Sequence, residues 1–122
     1  MNQYKTEHVW SMNYLSEQFK KEIVQRITKN LLDIQILRLI QTQPMWGYKI
    51  KKQAETRFGV RLRHGALYPL LNKMEKDGLL TSRKESKGGR VRKVYTITSK
   101  SEECLEAYRS VLREQMKNSD VE

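Results

Sequence analysis

The segment from Asn30 to Gln43 constrains the fold more than any other part of this 122-residue chain. Seven apolar residues cover more than half the circumference of the helix that it predicts, so other elements must pack around that helix. They are Leu31, Leu32, Ile34, Ile36, Leu37, Leu39 and Ile40. Asn30 is the predicted N-cap, and Pro44 ends the helix because proline cannot continue one. The chain therefore requires a buried central helix with several neighbours.

Two further helices are predicted after the turn from Pro44 to Gly47. One runs from Tyr48 to Arg57, with inward contacts from Tyr48, Ile50, Ala54 and Phe58. The other runs from about Ala66 to Asp77. Its start is expected near Gly65, because the missing N–H of Pro69 costs little in the first turn of a helix. Its inward residues are Leu67, Leu70, Leu71 and Met74, and its outward residues are Tyr68, Asn72, Lys73 and Lys76.

A β-hairpin is predicted next, and one more helix lies at each end of the chain. Strand-type residues from Leu80 to Glu85 and from Val91 to Thr98 flank a basic tip that contains two glycines. Apolar residues at helical spacing mark an N-terminal helix from Trp10 to Ile27 and a C-terminal helix from Ser101 to Lys117. We expect residues 118–122 to be disordered.

This order of elements predicts a mainly α fold with a small β-hairpin, arranged as a winged helix-turn-helix. The winged domain would span residues 30–98, preceded by an N-terminal helical extension over residues 1–29. Residues 99–122 would form a C-terminal helix and a disordered tail. The apolar stripes of the two flanking helices have no obvious partner within a winged domain, so we expect both helices to serve in dimerisation.

The net charge of +10 is confined to one stretch of the chain. Lys49 to Lys93 holds 14 basic and 4 acidic residues, whereas the basic and acidic residues elsewhere cancel. Such a concentrated surplus indicates a polyanionic partner, and nucleic acid is the commonest one. A solvated basic face that binds nothing is the alternative.

Other function classes leave no signature in the sequence. Cys104 is the only cysteine, and His8 and His64 lie in no metal-ligand spacing. No phosphate loop, nucleophile turn or metalloprotease motif is present, so we expect no catalytic residue, no metal and no cofactor. No apolar run suits a membrane span or a signal peptide, which predicts a cytoplasmic protein without a membrane partner.

Several motifs, in order, resemble those of PadR-type transcriptional regulators. The run from His64 to Leu71, continued from Met74 to Leu80, is similar to the family's Gly-Thr-Leu-Tyr-Pro…Leu-Glu…Gly-Leu signature. Gly47-Tyr48-Lys49-Ile50 and Arg92-Lys93-Val94-Tyr95-Thr96-Ile97-Thr98 resemble the start of its second helix and its wing strand. Ala66 replaces the usual hydroxyl residue, Trp46 replaces a common histidine, and Ser101 stands where glycine often follows the wing.

The resemblance and the charge pattern together define the expected sites. The recognition-helix set is Arg61, Arg63, His64, Gly65, Ala66, Tyr68, Pro69, Asn72 and Lys73. The wing set is Lys84, Lys87, Gly88, Gly89, Arg90, Arg92 and Lys93. Backbone contacts from the second helix are expected from Tyr48, Lys49 and Lys52. The dimerisation set is Trp10, Tyr14, Phe19, Ile23, Leu105, Tyr108, Leu112 and Met116. By resemblance, Tyr68 contacts the DNA backbone and the start of the third helix contacts bases.

The expected function is that of a homodimeric repressor that binds double-stranded DNA at a palindromic operator. One alternative is an architectural DNA- or RNA-binding winged-helix protein without sequence preference. Another, from a different class, is a winged-helix protein-protein adaptor. Trp10 and Tyr14 could also line a pocket for a small aromatic or hydrophobic effector, with core or dimer packing as the alternative for these two rings.

Overall fold

The computed structural model describes the chain from residue 3 to residue 117, and its side chains from residue 13. The described elements are α1 (Gln3–Asn30), α2 (Leu32–Thr42), β1 (Met45–Trp46), α3 (Gly47–Phe58), α4 (His64–Lys76), β2 (Leu80–Lys87), β3 (Arg90–Ile97) and α5 (Ser99–Lys117). They confirm the predicted winged-helix fold, mainly α with a small antiparallel sheet. The flanking helices are longer than predicted, and residues 118–122 lie outside the described residues.

Helix α2 lies at the centre of the fold, as its apolar circumference requires. Ile36 and Leu37 are fully buried, and helices α1, α3 and α5 all pack against α2. The predicted N-cap was wrong, because α1 continues through Asn30. The side-chain Nδ2 of Asn30 donates to the backbone carbonyl of Arg26 at 2.8 Å, one turn back along α1, so it caps no amide of α2. Leu31 occupies the N-cap position of α2 without a capping side chain.

The sheet contains a strand that the sequence did not indicate. Met45 and Trp46 were expected in a turn, but they form β1 and pair antiparallel with β3, opposite Tyr95 and Val94. The resulting strand order is β1-β3-β2. Met45 and Tyr95 are both buried, so this short strand attaches the hairpin to the helical core.

The hairpin, which forms the wing, turns more tightly than predicted. Lys87 pairs with Arg90, so only Gly88 and Gly89 form the tip, whereas a five-residue connection was expected. Both glycines have positive φ, 60° and 77°, as a two-residue type I′ turn requires. The strands therefore carry their basic residues almost to the end of the wing.

The predicted positions of two apolar side chains also need correction. Tyr48 was expected in the core, but 43% of it is exposed because it lies in the first turn of α3, on the outer surface. Leu105 was expected to meet a partner chain, but it is only 1% exposed and packs in the core of this chain. Apolar residues at helical spacing show that one face of a helix is apolar, but they do not show whether each residue packs in the core, against a partner or toward solvent.

Candidate nucleic-acid interface

Helix α4 presents a polar surface because its apolar side is held in the core. Leu67, Leu71 and Met74 are buried, whereas Tyr68 and Asn72 are exposed on the other side. The helix starts at His64, two residues earlier than predicted, with Arg63 as its N-cap residue, so Pro69 lies in its second turn and not in its first as expected. His64, Gly65, Ala66 and Pro69 are all exposed, so the start of the helix is accessible on its outer side.

The segment that leads into α4 is fixed by a carboxylate of α3. The Glu55 carboxylate accepts a hydrogen bond from the backbone N–H of Leu62 at 3.2 Å, and it forms an ion pair with Lys51 at 3.5 Å. The Leu62 bond is the main reason that the pKa of Glu55 lies below its ordinary value. Val60 and Leu62 are buried, so the intervening Arg61 is exposed on the side of the segment that faces solvent.

The first turn of α3 meets the second turn of α4 at Gly47 and Tyr68. The ring of Tyr68 lies so close to Gly47 that a β-carbon there would be 2.6 Å from Tyr68 Cε1. On its other side, Tyr68 stacks on His64 with the ring centroids 5.8 Å apart and the planes 7° from parallel. The Tyr68 hydroxyl is therefore held beside the N-terminus of α3.

Both helix N-termini lack groups that would repel or replace a bound anion. Within the described residues, neither α3 nor α4 has an acidic residue in its first turn or a side chain that caps its free amides. Free N–H groups and the helix dipole attract phosphate at such a terminus. The N-terminus of α3 and the Tyr68 hydroxyl beside it therefore form a surface suited to a nucleic-acid backbone, and the exposed N-terminus of α4 is also open to an anion.

Aromatic rings and cations form a continuous stack beside these termini. The guanidinium of Arg92 lies 3.8 Å from the centroid of the Trp46 ring, and Trp46 stacks on Tyr48 at 5.4 Å. Lys52 lies 5.6 Å from the Tyr48 ring. This stack joins the wing to α3 through β1, and it orders the positions of two predicted site cations, Arg92 and Lys52.

A second link joins the wing to α4. Glu75 accepts hydrogen bonds from the hydroxyl of Ser82 on β2 and from the ammonium of Lys93 on β3, the latter at 2.8 Å. The bond from Lys93 is the main reason that the pKa of Glu75 lies below its ordinary value, and the bond from Ser82 lowers it further. Lys93 was predicted to contact DNA, and the structure places its charge against Glu75.

Predicted cations divide into paired and unpaired groups. Lys73 pairs with Asp77 at 2.8 Å, one turn along α4, and that pair raises the pKa of Lys73. In contrast, several predicted cations form no ion pair with any described residue: Lys49, Lys52, Arg61, Arg63, Lys84, Lys87, Arg90 and Arg92. Lys49 is half-buried on α3, and the wing-tip cations are exposed. The unpaired group supplies most of the charge available to a polyanion.

A groove of about 320 Å³ lies between α4 and the wing. Its walls include Trp46 and Gly47 on one side, Tyr68 and Asn72 on α4, and Arg92 on the wing. The groove therefore brings together residues of all three predicted DNA-contacting elements.

The flanking helices carry the other predicted surface. Phe19 and Ile23 on α1 are 59% and 51% exposed, and Leu112 and Met116 on α5 are 38% and 73% exposed. Tyr14 is also exposed, whereas the hydroxyl of Tyr108 lies 3.4 Å from the amide nitrogen of the buried Gln35. An apolar groove of about 460 Å³ lies between the end of α1 and α5. The side chain of Trp10 lies outside the described residues.

Residues 36–107 match the model of the transcriptional regulator PadR-like family. The match spans the core of α2, the two helices of the candidate interface, the wing and the first half of α5. The chain belongs to the PadR-like family of transcriptional regulators. The resemblance predicted from the sequence motifs is thereby confirmed.

Similar individual proteins are transcriptional regulators as well. The transcriptional regulator Rv3488 of Mycobacterium tuberculosis is 40% identical over 62 residues, which cover 51% of this chain and 58% of that protein. The chain thus matches less than two thirds of the length of that curated relative. The crystal structure of a PadR family transcription regulator from Clostridium difficile is 30% identical, with a TM-score of 0.64 over 70% of this chain and 90% of that one. A PadR-like transcriptional regulator from Bacillus cereus is 26% identical, with a TM-score of 0.67 over 78% of this chain and 93% of that one.

Two residues of this PadR-like surface were not among the predicted sites. Trp46 lies between Arg92 and Tyr48, and Glu75 connects α4 to both strands of the wing. The aromatic residues on either side of Gly47 were a weak signal for the first. No local pattern marks Glu75, because its partners lie 7 and 18 residues away.

Among the described residues, no group of three or more His, Cys, Asp or Glu side chains could hold a metal ion. No described helix is long and apolar enough to cross a membrane.

Proposed function

We propose that this PadR-like regulator binds double-stranded DNA in a sequence-specific manner, as a homodimer, and represses transcription from a palindromic operator. The observation that carries the proposal is the Tyr68–Gly47 contact, which holds the Tyr68 hydroxyl beside the uncapped N-terminus of α3, near unpaired cations of α3 and the wing. Winged-helix proteins place a helix in the major groove and a wing on the neighbouring backbone or minor groove. The positive charge lies on those same elements.

Each element has a distinct role in this proposal. The exposed start of α4 enters the major groove, where the Asn72 amide can donate to and accept from an adenine edge. Tyr68 and the N-terminus of α3 bind phosphate, as do Lys49 and Lys52. Lys87 and Arg90 at the wing tip contact the neighbouring backbone, and they contribute affinity without sequence preference.

The dimer would form through the exposed apolar faces of α1 and α5. Isolated apolar residues are normal on a surface, but Leu15, Phe19 and Ile23 form a continuous stripe along one side of α1. A two-fold axis through such faces buries them and places two α4 helices toward successive major grooves of one duplex. Because the two protomers of such a dimer would bind equivalent half-sites related by the same two-fold axis, we expect the operator to be palindromic.

Competition between duplexes tests the proposal. The protein is titrated onto labelled DNA from upstream of its own coding sequence, with and without an excess of random duplex. A sequence-specific regulator retains that DNA at a specificity ratio of about 10³ or more. Equal displacement by random duplex would support the architectural alternative instead.

The salt dependence of duplex affinity distinguishes a DNA-binding regulator from a protein-protein adaptor. With six to ten phosphate contacts per dimer, affinity falls by roughly 10³ to 10⁵ between 50 and 200 mM salt. An adaptor would bind duplex weakly, without this steep dependence. A reporter gene behind the bound DNA then distinguishes repression from activation, since repression requires higher expression when the regulator is deleted.

A further inference from the structure

Glu75 is an acidic residue on the helix that presents the candidate DNA-contacting surface. Removing an acidic side chain from a strongly basic face should strengthen the attraction of that face for phosphate. The contacts of Glu75 argue for a different role, because both of its carboxylate oxygens are engaged by the wing. Oε2 accepts from the Ser82 hydroxyl, and Oε1 accepts from Lys93 Nζ at 2.8 Å.

The two donors come from different strands of the hairpin. Ser82 pairs with Tyr95, and Lys93 pairs with Lys84. Side chains alternate along a strand, so these two pairs lie on the same face of the hairpin, the face toward α4. The carboxylate therefore bridges β2 and β3 at once. Among the described residues, these are the side-chain hydrogen bonds that connect α4 to the hairpin.

The environment of the carboxylate favours its charged form. Its side chain is 30% exposed and that of Lys93 is 44% exposed, so solvent reaches the pair without separating it. The bond from Lys93 lowers the pKa of Glu75 and raises the pKa of Lys93. The link is therefore ionised and intact at neutral pH.

We propose that Glu75 is a positioning residue that sets the distance and angle between helix α4 and the wing. It contacts no DNA in this role and acts through Ser82 and Lys93. A duplex must then fit α4 and the wing together, so a fixed spacing favours an operator whose groove geometry matches both elements. The inference rests on the proposed DNA-binding function.

The two possible roles of Glu75 predict opposite results for one substitution. If Glu75 only repels phosphate, Glu75→Ala strengthens binding to every duplex. If Glu75 positions the wing, Glu75→Ala weakens binding to the preferred duplex by about tenfold, because bonds to a charged group are lost. Binding to random duplex would stay equal or rise, since Lys93 is released, and the specificity ratio falls.

Glu85→Ala is the matched control. Glu85 lies on the opposite face of the wing, where it pairs with Arg83 at 3.1 Å rather than with α4. Each substitution removes one negative charge from the basic region. The difference between them is that Glu75→Ala also removes the link between α4 and the wing. We expect Glu85→Ala to leave the specificity ratio unchanged and overall affinity equal or slightly higher.

A charge-exchanged variant separates positioning from a folding defect. Lys93→Glu alone should reduce the specificity ratio as Glu75→Ala does. Combining it with Glu75→Lys restores an ion pair at the same place with the wild-type net charge, and part of the lost ratio should return. If the double variant is no better than either single one while all three unfold at similar temperatures, the positioning role is overturned.

Amide hydrogen exchange of the wing gives a measurement that needs no DNA. We expect faster exchange in β2 and β3 of free Glu75→Ala protein and unchanged exchange in Glu85→Ala protein. Equal exchange in the two variants, or equal specificity ratios, would contradict the inference. If wild-type protein prefers no duplex, the proposed function fails, and hydrogen exchange still decides whether Glu75 holds the wing.

Discussion

Gly47 leaves open the space that Tyr68 fills: a β-carbon at position 47 would lie 2.6 Å from Cε1 and 2.8 Å from the hydroxyl oxygen of Tyr68. Real β-carbons essentially never approach another atom so closely. The absence of a side chain at the start of α3 therefore determines where the tyrosine of α4 can lie. The family-like motifs Gly47-Tyr48 and Leu67-Tyr68-Pro69 are thus two halves of one contact.

Gly47→Ala should displace the Tyr68 ring from its stack on His64 and reduce DNA affinity as much as Tyr68→Ala does. In the Tyr68→Ala background the space is vacant, so Gly47→Ala should add little. This non-additivity is measured as a double-mutant cycle on duplex affinity. Two independent losses that sum in the double variant would show that the contact does not position Tyr68.

Arg92→Ala should weaken binding in two ways, and Arg92→Lys separates them. The guanidinium stacks on Trp46 at 3.8 Å, a contact worth about 0.5–2 kcal/mol, and it carries one charge toward phosphate. Arg92→Ala should lower affinity and reduce the slope of log affinity against log salt by about 1. Arg92→Lys should keep the wild-type salt slope, because the charge remains. It should still bind DNA more weakly than wild type, because lysine does not stack on Trp46 as a planar group. Wild-type affinity in the lysine variant would contradict the role of the Trp46 stack.

Acid should weaken the attachment of the segment before α4. The folded-state pKa of Glu55 is below the ordinary 4.5, chiefly because of the Leu62 N–H bond, so the folded protein holds fewer protons on this group than the unfolded chain does. Its stabilising contribution is complete above about pH 4.5 and is lost as the pH falls through the lower folded value. Glu55→Gln should therefore melt at a lower temperature than wild type at pH 7, with a smaller difference at pH 3.

The exposed Glu103 of α5 supplies a control for that experiment. Glu103→Gln removes the same charge at a site with no ion pair among the described residues. Its melting temperature should track that of wild type at both pH values. A difference between Glu55→Gln and wild type that does not change with pH would rule out the carboxylate as its cause.

Phe19→Ser should dissociate the proposed dimer without unfolding the protomer. Phe19 is 59% exposed on α1, so its loss costs the isolated chain little. Burial of a phenylalanine is worth about 1.5–3 kcal/mol, and two-fold symmetry removes two such side chains, so the dimer Kd should rise by roughly 10² to 10⁴. Sedimentation equilibrium measures this change, with the exposed Lys20→Ser as the control one residue away. A monomeric wild-type protein at micromolar concentration would contradict the dimer.

The sequence predicted the elements whose pattern is local and long. The apolar circumference of α2 and the inward stripe of α4 both have helical periodicity, and glycines mark the wing tip. Strand β1 has only two residues, too few for any period, and it exists because Met45 and Trp46 pair with β3. Its existence depends on residues about fifty positions away, which no local pattern contains.

The same limit explains the missed and corrected site residues. The stack of Trp46 and Arg92, and the bonds of Glu75, appear only when the wing folds back onto the helices. Leu105 shares the apolar stripe of α5 with Leu112, but packing against the core covers the first and leaves 38% of the second exposed. Periodicity identifies the apolar side of a helix, and tertiary packing decides which of its residues remain available to a partner.

Selection of bound sites from a random duplex pool tests the central claim most directly. The proposed dimer, with α4 in the major groove and the wing on the backbone, predicts one enriched palindromic consensus with half-sites about 10 base pairs apart, centre to centre. Substitution of Asn72 should alter that consensus, whereas Arg90→Ala should weaken binding to all sequences about equally. A pool that binds without enrichment, or an Arg90→Ala protein that selects a different consensus, would contradict the account.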